Sequence, residues 1–353
     1  MSPGANALSW DQPSSCLTEA APAWPNTQVK TRLVPASPDE IAAAAALLIR
    51  GELVAFATET VYGLGADARQ TAAVQKIFAA KGRPATNPLI VHVLDLDAAR
   101  SLAVEIDARA ERLAAAFWPG PLTLVLPRRA GGQGLAEVAP EVSAGHATVA
   151  VRAPSHPVAR ALLTAFAGPI AAPSANRSLA VSPTTAAHVL EELDGQVALI
   201  LDGGATEIGL ESTVLDLSEP VPAILRPGMV LRSQIEAALG SPIRVGGGAA
   251  SAGRSPGLLE RHYAPRTPLT LKSRAEIEAE RGEAVAVISV GPLAGPQVWA
   301  LEANAEGYAR ELYAALRSAD RSDAREIWVE APPEGEAWSA IHDRLGRAAH
   351  RAS

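Results

Sequence analysis

The sequence predicts an α/β protein in two unequal parts: a larger domain on a twisted, mixed, open sheet, and a smaller α/β domain joined to it by a linker. Three observations predict it. Short apolar strands alternate with helical runs from about residue 31 to 240. Three consecutive strand patterns, VALILDG, STVLDLS and PAILRPG, close that region, which points to a mixed rather than a purely parallel sheet. The composition then changes over 241–266, and the alternation resumes over 267–353. At 353 residues, either part is large enough to bury its own core.

Residues 1–30 read as a flexible extension without the apolar stretch of a secretory signal. Ser37 caps a helix over 38–50, with Pro38 in its first turn and Gly51 just past its end. LVAFAT (53–58) is a short strand, and TETVYGLG reads as the loop leading from it to a helix over 71–82. LIVHV (89–93) is a strand, and helices follow over 95–105 and 107–117. LTLVL (122–126) and TVAVR (148–152) are strands, HPVARALLTAF (156–166) a helix, and PIAAP (169–173) a strand. Ser182, with Pro183 behind it, caps a helix over 182–193. The Gly246–Gly248 stretch reads as linker; no third Gly follows at the spacing of a dinucleotide fingerprint. Helices over 273–281, 304–319 and 336–349 then alternate with strands over 284–290 and 325–331.

Composition closes several doors. With 38 acidic against 31 basic residues the net charge is −7, which argues against a protein that coats nucleic acid, though not against a local cationic pocket. A single cysteine, Cys16, excludes a disulfide scaffold and a cysteine zinc cage, and makes a reducing cytoplasm the expected compartment. No run of eighteen apolar residues is present to span a membrane. Walker A, HExxH and Gly-x-Ser-x-Gly motifs are all absent, so a nucleotide pocket here is of another kind.

Polar residues gather beside strand ends, where open α/β sheets bind ligands. Thr58-Glu59-Thr60 follows the second apolar segment; taken alone it is equally an ordinary loop. Lys81 and Arg83, at a helix end braced by Pro84 and Pro88, offer a point charge and a bidentate fork suited to polyphosphate. A cationic helix end also answers the macrodipole. Ser174 and Asn176 form a second anion-facing turn or a plain Ser/Asx turn. His92 alternates with apolar positions, as a satisfied core histidine does. Thr148, Arg152, Glu211-Ser212-Thr213 and Arg226 are each weak alone.

Taken in order, ATETVYGLG, KIFAAKGRPATNPLIVHV, WPGPLTLVL, VAVRAPSHP, IAAPSANRS, ESTVLDL, ILRPG and SPGLLERHYAP resemble the YrdC-like family in its two-domain threonylcarbamoyl-AMP synthase form, over residues 31 to about 350. The resemblance implies a YrdC-like catalytic domain (31–240), a lid-forming linker (241–266) and a Rossmann-like C-terminal domain (267–353). It implies that L-threonine, bicarbonate or CO2 and ATP give threonylcarbamoyl-adenylate and pyrophosphate. Lys81, Arg83, Ser174 and Asn176 would hold the triphosphate, with Asn87, Thr148, Ser182, Arg226, His262 and Tyr263 around the nucleotide. Thr60, His92, Arg152, the backbone at Ala172, and Ser212 would hold threonine, with the Arg152 fork on its carboxylate. Mg2+ would accompany the phosphates, held mainly by ATP and water because no carboxylate pair is evident. No prosthetic group is expected. A downstream threonylcarbamoyl-transferase complex would move the group to tRNAs that read ANN codons.

Two other readings stand beside this one: a module that presents its cations to double-stranded RNA, and an adenylating enzyme for another amino acid, such as serine. Residues 255–265 are too aromatic for a tether and are expected to fold over the pocket, excluding water from a labile mixed anhydride. The small domain carries no catalytic cluster of its own; Glu330 and Asp343 read as surface or cap residues.

Overall fold

The computed structural model describes residues 29–129, 137–246 and 262–350. Among these, eleven strands form one sheet in the first part of the chain. They are β1 (Arg32–Pro35), β2 (Val54–Phe56), β3 (Gly63–Asp67), β4 (Ile90–His92), β5 (Leu122–Pro127), β6 (Thr148–Arg152), β7 (Ile170–Ala171), β8 (Leu199–Asp202), β9 (Thr213–Asp216), β10 (Ala223–Arg226) and β11 (Arg244–Val245). Their spatial order is β1-β8-β2-β3-β7-β4-β6-β5-β9-β10-β11. The sheet is mixed, as expected: β2–β3, β3–β7, β4–β7, β5–β6 and β9–β10 run antiparallel, whereas β1–β8, β2–β8, β4–β6, β5–β9 and β10–β11 run parallel.

The helices of this part are α1 (Pro38–Ile49), α2 (Thr71–Lys81), α3 (Leu96–Arg100), α4 (Ala108–Phe117), α5 (Pro157–Phe166), α6 (Ala186–Leu193) and α7 (Arg232–Leu239). Ser37 caps α1 as expected, its hydroxyl accepting from the Glu40 amide. Helices α1 and α5 bury Ala44, Leu48, Ala159 and Leu162 with Phe56, Leu199 and Leu201 of the sheet.

Two local expectations need correction. TETVYGLG is not a βα loop. It turns β2 back into β3, whose GLGAD sequence has almost no strand propensity and forms because it sits between β2 and β7. A Cβ on Gly65 would lie 2.8 Å from Phe56, so glycine permits the close approach there. The helix after Val181 starts at Ala186, and its cap is Thr185, whose hydroxyl accepts from the His188 amide; Ser182 is used elsewhere. The large sheet also runs past residue 240, through β11.

The second part has four parallel strands, β12 (Leu269–Lys272), β13 (Val285–Val290), β14 (Val298–Leu301) and β15 (Glu326–Glu330), in the order β12-β15-β13-β14. Helices α8 (Arg274–Glu280), α9 (Ala305–Asp320) and α10 (Ser339–Ala349) complete it. Its core is not separate: Tyr308, Leu312, Tyr313, Ile341 and Leu345 cluster with Val61, Val181 and Leu210 of the first part. At Gly209 (φ +82) a Cβ would come within 2.5 Å of the Ala309 carbonyl, so α9 docks against bare backbone.

Candidate active site

The turn between β2 and β3 is held by one hydroxyl. Thr58 Oγ1 donates to the Val61 carbonyl (2.6 Å) and accepts from the amides of Thr60 (3.2 Å) and Val61 (3.3 Å). Its single proton is then committed, so in the 2.9 Å contact between the two hydroxyls Thr60 is the donor. That orients the Thr60 oxygen to accept from Arg152 Nη1 (2.9 Å).

Arg152 ends β6, in register with His92 on the neighbouring β4. Its Nη2 lies 2.6 Å from Glu59 Oε1, and Nε donates to the Gly120 carbonyl (3.2 Å). Burial, the largest influence, pushes the Glu59 carboxyl up, but the Arg152 charge and contact together with backbone amides bring the net shift downward. The fork is therefore not open as expected: Nε and Nη1 are hydrogen-bonded, and Nη2 is ion-paired with Glu59 without an aligned hydrogen bond. His92 is not a satisfied core histidine either. Its Nδ1 has no partner and it lines the cavity; burial, with the Arg152 charge, lowers it to about 3 and keeps the ring neutral.

Lys81, the last residue of α2, is also placed differently from the expectation. Its Nζ lies 2.5 Å from the carbonyls of both Ser174 and Asn176. Strand β7 ends at Ala171; in the turn that follows, the Pro173 carbonyl accepts from the Leu64 amide, while the Ser174 and Asn176 carbonyls are satisfied by the ammonium. Asn176 Nδ2 fastens the same turn to the carbonyls of Arg177 and Ala180 (both 2.8 Å). Burial and the nearby Arg83 charge push Lys81 well below the ordinary lysine value. Lys81 and Asn176 thus brace the Ser174 turn from behind the cavity wall, whereas Ser174 and Arg83 are in it.

Gly82, in the left-handed conformation, ends α2 and turns the chain toward Arg83. Arg83 Nε donates to the Asn87 carbonyl (3.2 Å) and Nη2 to the Pro88 carbonyl (2.8 Å). Burial lowers Arg83 to about 10, so it stays charged at neutral pH. Arg226 ends β10 and spans Ser212, with Nε and Nη2 on its carbonyl (3.2 and 3.0 Å) and Nη2 on its hydroxyl (3.2 Å).

These groups line one cleft. Of the residues expected from the sequence, Thr60, Arg83, His92, Arg152, Ala172, Ser174, Ser212, Arg226, His262 and Tyr263 line it. Lys81, Asn87, Thr148, Asn176 and Ser182 do not. Asn87 lends its carbonyl to Arg83; Thr148 starts β6, four residues from Arg152. The expected lid falls largely outside the described residues, which resume at His262. His262 is buried in the wall, its Nδ1 unpartnered, and burial lowers it to about 3.

Glu211, which the sequence offers only within the weak Glu211-Ser212-Thr213 candidate, lines the cavity too. It accepts from Ser182 Oγ (2.6 Å), Tyr313 Oη (3.0 Å) and Arg344 Nε (2.8 Å). Burial pushes it up, but the charges of Arg344 and Arg226 and the Ser182 bond together bring it down to about 2. Asp343 likewise is no mere cap, since it pairs with Arg344 (2.6 Å) and Arg347 (3.0 Å). The wall therefore presents three guanidiniums, Arg83, Arg152 and Arg226, and one neutralised carboxylate, which suits a polyanionic ligand.

The same order of parts occurs in known proteins. Residues 46–228 match a family model for Sua5, YciO and YrdC proteins described as "Telomere recombination". Residues 230–350 match one described as "Threonylcarbamoyl-AMP synthase, C-terminal domain". The threonylcarbamoyl-AMP synthase of Bacillus subtilis (strain 168) is 44% identical over 329 residues, 88% of this chain and 93% of the relative. That of Pyrococcus abyssi is 44% identical over 326 residues, 88% and 94% of the two chains. The crystal structure of P. abyssi Sua5 complexed with L-threonine is similar with a TM-score of 0.81 at 40% identity, covering 91% of this chain and 97% of that one.

Proposed function

Because this chain belongs to the threonylcarbamoyl-AMP synthase family, we infer that it converts L-threonine, bicarbonate or CO2, and ATP into threonylcarbamoyl-adenylate and pyrophosphate. The observation that carries the reading is the cavity itself: three buried guanidiniums beside His92, whose Nδ1 has no partner, in a fold shared with a relative whose structure holds L-threonine. The threonine amine adds to CO2, or to bicarbonate with loss of water, to give a carbamate. A carbamate oxygen attacks the α-phosphorus of ATP, the α–β bridging P–O bond breaks, and pyrophosphate leaves. Little covalent work falls to the protein, so catalysis is positioning and charge neutralisation.

In this reading Thr60, His92, Ser212, the Ala172 backbone and the free Nη hydrogens of Arg152 hold threonine. Neutral His92 accepts a hydrogen bond there through Nδ1. Arg83, Ser174 and Arg226 face the phosphates, and Lys81 and Asn176 hold Ser174 in place. Mg2+ enters with the nucleotide. Among the described residues no group of three or more His, Cys, Asp or Glu side chains converges to hold an ion. The two carboxylates at the site, Glu59 and Glu211, are committed to Arg152 and Arg344. These residues do not form a protein cage for the ion.

The product is a reactive acyl phosphate, so a transferase must consume it; by family this is the threonylcarbamoyl transfer to tRNA, in the cytoplasm. Among the described residues no helix is long and apolar enough to cross a membrane. The experiment is pyrophosphate release by the full chain with each substrate omitted in turn. Release that needs both threonine and bicarbonate supports the reading; release with ATP and threonine alone argues for an ordinary aminoacyl-adenylate.

A further inference from the structure

Two side chains of the second domain reach the residues that wall the cavity. Arg344 on α10 is 1% exposed, and its donors go to three different pieces of structure. Nε donates to Glu211 (2.8 Å), Nη2 to the Pro227 carbonyl beside Arg226 (3.0 Å), and Nη1 to Asp343 of its own domain (2.6 Å). Its flat face covers the Tyr263 ring, 5.0 Å from the guanidinium carbon to the centroid. Tyr313 on α9 makes a second arm. Its hydroxyl donates to the same Glu211 oxygen (3.0 Å), and its ring stacks on Tyr263 with centroids 5.9 Å apart and planes at 22°.

Tyr263 is held in a conformation it would not adopt alone. It has φ +59, in the left-handed region disfavoured for a bulky side chain. Such a residue persists only where its surroundings over-determine it. Here they do: the Tyr313 ring, the Arg344 face, and the following Ala264 amide on the Leu179 carbonyl (3.0 Å). His262, its neighbour in the cavity wall, packs edge-on against it at 3.9 Å.

Joining two domains does not require a buried charge, since well-packed apolar residues commonly do so with equal or greater stability. What an apolar side chain lacks is a fork that reaches a carboxylate, a carbonyl and a ring at once. We propose that Arg344 and Tyr313 are positioning residues for the reaction: from the second domain they fix Glu211 and Tyr263, and so hold the His262–Tyr263 wall and the Arg226 loop where the bound nucleotide needs them. The proposal rests on the adenylate-forming reading above.

Two variants separate positioning from mere support. Tyr313→Phe keeps the ring stack and loses only the hydroxyl. The double variant Glu211→Gln with Arg344→Met removes both charges together, so neither is left buried and unpaired. Steady-state kinetics with ATP and with threonine varied, threonine calorimetry and melting temperature are measured on each. The expected result is a KM for ATP raised several-fold in Tyr313→Phe, and kcat/KM for ATP down about tenfold or more in the double variant. Threonine affinity and melting temperature stay close to those of the unaltered chain. Variants that match the unaltered chain in KM for ATP and in kcat overturn the proposal, as does equal loss for both substrates. If the double variant does not fold, Tyr313→Phe decides alone. The unaltered chain serves as control: no adenylate from it would overturn the adenylate-forming reading itself, whereas adenylate at equal efficiency from all three chains overturns only the positioning role.

Discussion

Arg152 Nη2 and Glu59 Oε1 lie 2.6 Å apart at the floor of the turn that carries Thr60, and both side chains are buried. The guanidinium that lines the cavity is thus already paired with a residue just ahead of that turn's second hydroxyl. If Arg152 takes the threonine carboxylate as proposed, that carboxylate would share it with Glu59 rather than claim it.

Glu59→Gln leaves the guanidinium buried without its counter-charge, and removing one partner of a buried pair costs about 3 kcal/mol or more. The substrate carboxylate then becomes the full negative charge available to Arg152. The melting temperature should fall, while the rise produced by saturating threonine should exceed that in the unaltered chain, because a ligand stabilises in proportion to its preference for the folded state. A smaller threonine-induced rise in the variant would show that the carboxylate binds elsewhere.

Lys81→Ala and Arg83→Ala should fail differently. Without the ammonium, the Ser174 and Asn176 carbonyls lose their donor, at about 1–3 kcal/mol for each buried group left unsatisfied. The urea midpoint should drop, with ATP binding weakened through the displaced turn. Arg83→Ala removes a charge from the wall itself, and its larger effect should be on turnover, about 3 kcal/mol of barrier by analogy with loss of one transition-state donor. Unfolding curves and ATP titrations on both variants check this. Lys81→Ala with an unchanged midpoint and abolished ATP binding would instead put the ammonium on the phosphates.

Much of this arrangement was legible in the sequence, and what was not has identifiable causes. TVAVR is strand by alternation and β-branching, and its observed bounds are those expected. GLGAD is a strand only because two neighbours pair with it, and local composition carries no trace of that. Short edge elements such as RLVP and RV, and the parallel strand VWAL, were missed for the same reason. The roles of Glu211, Tyr313 and Arg344 depend on contacts across more than a hundred residues. One signal was available: Ala340, Arg344 and Ala348 repeat every fourth residue on the buried side of α10, and a charge on an apolar stripe demands a partner.

Stability should fall in two steps as the medium is acidified. Burial holds His92 and His262 neutral down to about 3, against 6.5 when exposed. Glu211 is lowered to about 2 against 4.5. Each folded value lies below its unfolded value, so each contribution is complete above the unfolded value and is lost as pH falls through the folded one. Urea midpoints should decline from about pH 6.5 downward through the histidines and more steeply below about 4.5 through Glu211. Glu211→Gln should make the second decline shallower, with the remainder coming from other lowered carboxylates such as Glu59. A midpoint that stays level between those two values would contradict the histidine assignment.

Gly209→Ala should loosen the docking of the two parts. The position has φ +82, and the added methyl carbon would meet the α9 backbone at 2.5 Å. The flanking amides of Ile208 and Gly209 donate to the carbonyls of Glu59 (2.8 Å) and Thr60 (3.1 Å), so a shift there is felt at the site. Amide hydrogen exchange should quicken in α9, with a destabilisation above about 1 kcal/mol. Unchanged exchange in α9 would mean that the interface accommodates the methyl group.

The most direct measurement is the mass of the product formed from ATP, L-threonine and carbon-13 bicarbonate by the full chain. The predicted product contains AMP, threonine and one additional carboxyl carbon that carries the label, and it forms together with pyrophosphate. An unlabelled threonine–AMP conjugate, or labelled bicarbonate left wholly unincorporated while ATP is consumed, would contradict threonylcarbamoyl-adenylate synthesis at this cavity.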